Sequence, residues 1–591
     1  MIHTKDHNQL SFIDPWAHLG PRRRKLLDES WAGVFQKEIL PTLPVHDFSR
    51  YFCRDNGRST KELSSVLGVI LIQNTLDTTD AETVQQFAFN QQWHYALNIW
   101  EESDEAAYMC EKTLWNMRTV FIDHDISSLL LERTTKALAE AFNVDLKKQR
   151  IDSVHIRSNM KNLGRIGLFS QTIHKFLVNL KRQHRSLFDH LSDDLVNRYL
   201  KKKALTAFSM VKPSQSAKTL ESLSRDLFKL VELYQNNDPI GQMQSYQLLA
   251  RLLKEHCQVS WDDISQTGTL QIKQPKEISG DSLQNPSDPD ASYDGHKGKG
   301  YQIQVMETYS DNKSEATLNL ITHIEAEPAH LSDAGALLPA IESTQKRGLK
   351  PEQILADSLY GSDENVIHAQ EKAIELIAPV MPGSTINNRL HLSDFVISDS
   401  NAVVFCPQGK RPVSRKSSKK AHIVGFSPVD CTGCPSQDQC PVKKGKKLNA
   451  LRYTGKDLRL AKRRQKEKTS GFIERYALRS GVEATMSEYD RLTGIKHLRV
   501  RGLKKVRCCA ILKAIGINIF RAARVRKAQN RPSRESSPAA VRMTTSGTVL
   551  NFLTAFKQAV NHLVWRWIAI FCSVFQFGSS NQFCRLSMTA R

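Results

Sequence analysis

Residues 301–324 read YQIQVMETYSDNKSEATLNLITHI. Tyr301–Thr308 alternates apolar and polar positions with the two-residue period of a strand, Ser310–Lys313 is made of turn formers, and Ala316–Ile324 resumes as a second strand. No extended helix separates the two strands, which predicts an antiparallel hairpin. Downstream, Leu331–Gln345 carries a helical pattern with Gly348 near its end, Gln353–Asp357 is a strand, Asp363–Ala373 a helix and Glu375–Val380 another strand. That later strand–helix–strand run suits a parallel crossover.

Working upstream, Gln149–Arg157 alternates as a short strand, with Ile151, Val154 and Ile156 among polar residues. Helical periodicity fills the stretch from about Gly164 to Leu253, including Gln171–Gln183 and Ser186–Lys203, and Ser279–Gly300 reads as a loop. The resulting order is β, β-hairpin, α, β, α, β. It predicts an α/β protein whose core is ribonuclease-H-like, with a helical insertion after the first strand, although other mixed α/β sheets share such an order. The first 150 residues read as helical. Ser59 with Glu62 forms a capping box before Lys61–Gln73, Thr79 with Glu82 repeats it before Ala81–Asn90, and a third helix covers Ser127–Phe142. A plain helical bundle and a helical DNA-binding module both fit that pattern.

The chain has 591 residues, enough for two to four domains. It carries 83 Lys+Arg against 61 Asp+Glu, a net charge of +22 that points to a polyanion, nucleic acid or an anionic membrane face. No charge-free apolar run reaches membrane-spanning length, because Leu563–Phe577 is short and holds Arg566. The first thirty residues lack the apolar stretch of a secretory signal. Eleven cysteines are too sparse for a disulfide scaffold and suit a reducing, intracellular compartment.

Two acids take corresponding places in the scheme, Asp152 in the first strand and Asp357 at the end of the fourth. Neighbouring strands would bring their carboxylates to one edge of the sheet. Hard divalent cations take oxygen ligands, and a pair of them can activate an attacking oxygen and stabilise a leaving one. In GFIERYALRSGVEATMSEYDR, Tyr476, Arg479 and Glu483 fall at i, i+3 and i+7 and share one helix face. Arg479 could meet a phosphate, Tyr476 a backbone oxygen and Glu483 a metal. A strand-capping Asp or a solvated, salt-bridged helix would show similar patterns. Asp288 and Asp290 are rival carboxylates in the loop before a strand.

With these residues in place, the chain resembles the DDE transposases of bacterial insertion sequences, in the branch whose last acid lies in Tyr-x2-Arg-x3-Glu-x6-Lys. Asp152 in RIDSVHIRSN resembles the first acid, Asp357 in ADSLYGSDENV the second and Glu483 the third. TTDAETVQQFAFNQQWHYAL and DPDASYDGHKGKGYQIQVMETY are also similar to stretches of that family, and the resemblance spans roughly residues 15–525. One departure is that Asp490 stands where the motif has its terminal Lys, with Arg491 beside it.

Cys406, Cys431, Cys434 and Cys440 lie between the fifth strand and Glu483. Four thiolates can close a tetrahedral Zn²⁺ site, although a set of unpaired cysteines in an insertion has the same composition. Pro441–Ser470 then holds twelve Lys/Arg against two acids, and Arg491–Lys527 holds twelve with none. Lys504 and Lys505 in the second segment are candidate DNA-backbone contacts; a solvated basic face is the alternative. Ala510–Phe520 in the same segment reads as a packed helix.

The organisation expected is a helical N-terminal domain at 1–148 for DNA-end recognition and a ribonuclease-H-like core at 149–380 with its helical insertion near 164–280. A cysteine-containing basic insertion follows at 381–470, the part of the core bearing the third acid at 471–527, and a linker with an aromatic, apolar tail at 528–591. The resemblance implies a transposase that cuts and joins DNA with Mg²⁺ or Mn²⁺ held by Asp152, Asp357 and Glu483. It also implies DNA ends and target as partners, a dimer or larger assembly on DNA, no membrane, and a bacterial cytoplasmic, nucleoid-associated setting. A metal-dependent nuclease of the same fold and a non-catalytic DNA-binding descendant are the alternatives.

Overall fold

The computed structural model describes residues 2–7, 14–262, 267–311, 314, 316–381, 389–418 and 421–530. The expected linker and apolar tail at 528–591 lie almost wholly outside the described residues, as does part of the Ser310–Lys313 turn. The fold is mixed α/β. Its central sheet holds β1 (Lys148–Arg157), β2 (Gly298–Thr308), β3 (Ile321–Pro328), β4 (Gln353–Leu355) and β5 (Glu375–Ile377) in the order β3-β2-β1-β4-β5. β2 runs antiparallel to both β1 and β3, whereas β4 is parallel to both β1 and β5.

β2 is buried on both faces from Gly300 onward, because helices cover the sheet on each side. On one face Ile151, Met306 and Ile354 pack against Leu337 and Ile341 of the helix Leu337–Lys346. On the other, Val154, Ile303, Val305 and Ile324 meet the helix Leu503–Gln529. That helix is apolar around most of its girth and also packs on Leu63–Leu76 and Ile126–Ala141, as expected for a core helix. Gly516 allows the contact with Leu63–Leu76: a Cβ there would lie 2.5 Å from the Thr75 side chain.

Between β1 and β2, Arg165–Gln183, Ser216–Tyr234 and Gln244–His256 close around their own core of Phe169, Ile173, Phe176, Leu227 and Leu249. Beyond β5, strands Ser414–Ser417, His422–Phe426 and Asn449–Tyr453 form a small sheet over Phe395, Val424 and Phe426.

Several boundaries differ from the sequence pattern for local reasons. Glu62, not Ser59, caps Leu63–Leu76, its carboxylate accepting the Ser64 and Ser65 N–H groups at 2.9 and 2.7 Å. The Thr79–Glu82 capping box forms as expected, at the head of Asp80–Phe89. Ser186–Lys203 is not one helix but Arg185–Asp189 and Asp193–Leu200, because the Ser192 side chain starts a new helix by accepting Leu195 N–H. Ser279–Gly300 is not wholly loop: Ser292–Asp294 pairs with Gly298–Gly300. β3 begins at Ile321 rather than Ala316, where Asn518 takes both the N–H and the C=O of Ile321 at 2.7 and 2.9 Å. A short 3₁₀ turn, Asp333–Gly335, precedes the helix Leu337–Lys346. β4 and β5 stop at Leu355 and Ile377, so Asp357 lies just past its strand.

Candidate active site

β1 and β4 pair in parallel with Arg150 opposite Leu355. Asp152 and Asp357 each lie two residues beyond that last pair, and the Asp357 charge is near enough to raise the Asp152 carboxyl. Strand alternation turns Asp152 toward the face that carries Val154, away from Ile151. Asp152 Oδ1 accepts the Ser153 N–H at 2.9 Å, and Asp357 Oδ1 accepts the Leu359 N–H at 2.8 Å.

Burial pushes the Asp152 carboxyl above its ordinary value, and the charges of Asp357 and Asp333 add to the rise, while Arg479 and the Ser153 N–H oppose it. Asp333 and Tyr360 belong to the same neighbourhood and were not singled out in the sequence. Asp333 is buried and accepts Gln304 Nε2 at 2.9 Å; the Tyr360 hydroxyl donates to Gln304 Oε1 at 2.5 Å. The only sequence signal for Asp333 was its place at the start of the helix after the hairpin.

Tyr476, Arg479 and Glu483 are not on one continuous helix. Tyr476 ends in Ser470–Ala477, Arg479 sits in the 3₁₀ turn Leu478–Ser480, and Glu483 lies in the first turn of Gly481–Thr493. The cause of the break is Arg150, whose Nη1 donates to the Leu478 carbonyl at 2.7 Å. A Cβ at position 481 would fall 2.2 Å from that same nitrogen, so Gly481 is what lets the chain pass. Arg150 is fixed by Glu307, fully buried, at 2.7 Å. Glu307 also accepts Thr485 Oγ1 at 2.7 Å and Arg521 Nη1 at 2.9 Å, and so ties the Glu483 helix to β2 and to Leu503–Gln529.

The three residues still meet on one side. Arg479 Nη2 donates to Asp152 Oδ2 at 2.7 Å, and its Nη1 lies 3.8 Å from Glu483 Oε1. Tyr476 stacks on Phe472 against Tyr309 and Leu355, and burial raises its hydroxyl pKa. Glu483 is the outlying member, with a side chain 73% exposed. Asp490 pairs with Lys496 at 3.6 Å.

Asp152 and Asp357 together offer the hard oxygen donors that Mg²⁺ accepts, for which one or two carboxylates suffice. Among the described residues no three His, Cys, Asp or Glu side chains are gathered tightly enough to hold an ion. Asp288 and Asp290 do other work: they accept the N–H groups of Gly502 and Leu503, each at 2.9 Å, at the head of Leu503–Gln529.

Cys406, Cys431 and Cys440 pack against the core of the small sheet, and Cys434 is near enough to act on Cys440. Lys410 N–H points at Cys406 Sγ at 3.4 Å, and Gly409 and Gly433 take φ of 75° and 72° beside Cys406 and between Cys431 and Cys434. Burial pushes the Cys440 thiol up, and Cys431, Cys434 and Cys406 add to it. They are not drawn into a closed tetrahedron.

Neither basic segment is an open cationic face throughout, because many of its charges are engaged within the fold. Arg459 pairs with Asp363 at 2.7 Å, Arg463 donates to the carbonyls of Gly361 and Ala378, and Arg507, Lys513 and Arg521 are tied into the core. Lys504 is exposed and lies 3.3 Å from Asp123. Lys505 lines a cavity of about 440 Å³ shared with Trp115 and Arg118.

With this arrangement, residues 405–523 match the family model described as a transposase DDE domain, and the chain carries a domain of the DDE transposase type. The match takes in the cysteines, Tyr476, Arg479 and Glu483, and stops short of Asp152 and Asp357. Among solved structures, the chain is similar to the piggyBac transposase in a cryo-EM structure of its synaptic complex with hairpin DNA. That likeness has 11% identity, covers 62% of this chain and 71% of that one, and has a TM-score of 0.20, too slight to carry an argument. No curated protein matches the chain. Among the described residues, no helix is long and apolar enough to cross a membrane.

Proposed function

We propose that the chain is a DNA transposase of a bacterial insertion sequence, built on a ribonuclease-H-like core, with Asp152, Asp357 and Glu483 as its acids. The observation that carries this reading is Arg479 linking Asp152 to Glu483, with the Asp357 charge acting on the same Asp152 carboxyl. The transposase domain match over the Glu483 segment supports it. Water attacks a phosphodiester at the element end; one P–O bond forms and another breaks, leaving a 3′-OH. That hydroxyl then attacks a target phosphodiester, and the displaced target oxygen takes the proton.

Asp152 and Asp357 would hold Mg²⁺ or Mn²⁺, with Glu483 completing the set. When bound, the metal supplies Lewis-acid stabilisation of charge developing at phosphorus. Arg479 presents a planar fork that can exchange a carboxylate for a phosphate oxygen. Tyr476, kept protonated by burial, is a hydrogen-bond donor to the strand. Lys504 and Lys505 add backbone contacts, the 1–148 helices recognise element ends, and the working unit is at least a dimer on DNA. The paired turns and shared proximity of Cys406, Cys431, Cys434 and Cys440 support a structural Zn²⁺.

The Arg479–Asp152 ion pair and the acid at position 490 favour one second reading, a DNA-binding relative that no longer cuts. A strand-transfer assay with pre-cut ends, run beside cleavage of uncut ends, separates the readings. Joining and cutting support the transposase, cutting alone a nuclease, and binding alone the second reading.

A further inference from the structure

At the far end of β1 from its β4 pairing, a cavity of about 550 Å³ opens between three chain segments. Its wall includes Arg157, Asn159, Asn162, Lys297, Lys299 and His497, and among the described residues it contains no carboxylate. The placement follows from local backbone. Asp294 Oδ1 accepts the His296 and Lys297 N–H groups at 2.8 and 2.6 Å, a tight turn that feeds Gly298 at φ 98° into β2. Gly300 pairs with Arg157 so closely that a Cβ on it would lie 2.0 Å from the Ile156 carbonyl oxygen. The two lysines flanking Gly298 are thereby brought beside the last residue of β1.

These cations are poorly neutralised by the protein. Arg157 is exposed and, among the described residues, has no carboxylate partner. Lys299 is half-buried, donates to the Leu163 carbonyl at 2.9 Å, and likewise lacks one. Lys297 lies 3.9 Å from Asp333 Oδ2 and also acts on the Asp294 carboxylate, so it is the most nearly balanced of the three. Like charges around a cavity of restricted solvent repel unless an anion is supplied. The Lys297–Asp333 contact also joins this cavity to the acid neighbourhood, since Asp333 acts on Asp152. Beyond the opposite wall Arg501 Nε donates to the Asn159 carbonyl, while Arg499, whose carbonyl accepts Asn159 Nδ2 at 3.0 Å, has its guanidinium on Asp77 at 3.2 Å. A cluster of cations wider than one phosphate, five residues along β1 from Asp152, matches a repeating polyanion better than a single small anion.

The geometry points to a binding site for the phosphodiester backbone of a DNA strand, formed by Arg157, Lys297, Lys299 and His497 at the end of the strand that carries Asp152. The identity of the polyanion as DNA rests on the transposase reading; the cationic cavity does not.

The test is fluorescence anisotropy of a short labelled duplex of arbitrary sequence, titrated with the full chain over a range of salt. Wild type is compared with R157Q/K297Q and with the charge-keeping R157K/K297R. Each phosphate contact contributes about −0.9 to the log–log salt slope, so R157Q/K297Q should make the slope shallower by about 1.8, and R157K/K297R should restore it. Should the double variant melt early, R157Q alone, at an exposed position, should still remove about 0.9. Wild type that binds with a steep slope, while the variants keep that slope, overturns the site and leaves the transposase reading standing. Wild type that binds no DNA overturns the transposase reading together with the DNA occupant. A last arm titrates inorganic pyrophosphate by calorimetry. Pyrophosphate binding lost in R157Q/K297Q, with the DNA slope unchanged, would make the cavity a small-anion site and overturn the DNA assignment.

Discussion

Arg479 Nη2 stands 2.7 Å from Asp152 Oδ2, a contact between residues 327 positions apart in the chain. The guanidinium offsets part of the rise that burial and two neighbouring acids impose on the Asp152 carboxyl, which still stands above its ordinary value. A carboxylate must be ionised to serve as a hard-metal ligand. Arg479 therefore favours the ionised form of Asp152 against its surroundings.

A pH prediction follows from the sign of that interaction. Arg479 lowers the Asp152 pKa, so Arg479→Gln should raise it further, and the ionised fraction at a given pH should fall. The acidic limb of a metal-dependent cleavage profile should move to higher pH in the variant, with partial recovery of rate as pH increases. A profile that keeps its acidic limb in place would show that Asp152 ionisation is not what limits the rate.

Asp152→Asn and Asp357→Asn each remove a charged oxygen donor with little change of volume. Cleavage should fall by about 10²-fold or more, the order lost with one transition-state electrostatic contact. Affinity for DNA should hardly change. Quantified cleavage products and a parallel binding isotherm check both halves, and wild-type cleavage by either variant refutes the acid assignment.

The sheet was legible because its signals are local: alternation marks β1 and β2, and the absence or presence of an intervening helix separates the antiparallel hairpin from the parallel crossover. The meeting of Tyr476, Arg479 and Glu483 was legible from spacing, yet the helix break was not. Its cause, Arg150, lies hundreds of residues away and acts through the Leu478 carbonyl. Counting basic residues in Arg491–Lys527 could not separate exposed Lys504 from buried Lys513 and Arg521, since burial depends on which face of a long helix meets the sheet. Asp333 and the Arg157–Lys299 cavity come from residues far apart in sequence and carry no local pattern.

Glu307 supplies a stability prediction. It is fully buried and joins Arg150, Thr485 and Arg521, so Glu307→Leu would leave Arg150 without a carboxylate and Arg521 with Glu488 alone. Breaking a buried ion pair from one side costs about 3–5 kcal/mol. Chemical denaturation should show a loss of that order. Because Thr485 and Arg150 seat the Glu483 helix, cleavage should fall more than DNA affinity. A loss below about 1 kcal/mol would mean that the network relaxes easily.

The cysteine cluster gives the last prediction. Cys406 and Cys434 sit at tight turns on two separate segments, and Cys431 and Cys440 pack on the same small core, so a shared ion would reinforce a junction already made by the Gln408–Ser436 hydrogen bond and the Lys410–Asp430 ion pair. If the four thiolates close on Zn²⁺, purified chain should contain about one zinc per molecule by elemental analysis, the count of a four-thiolate site. Cys434→Ser should lower that content, and chelation should make the 405–453 region more open to protease while leaving the central sheet intact. Ligation also needs deprotonated thiols, so acid should release the metal as protons compete for sulfur, and Cys440 is the thiol whose burial makes it most ready to take one back. Protein that is zinc-free as isolated, takes up none when the metal is added, and resists protease equally with and without chelator would leave these cysteines as small packing residues.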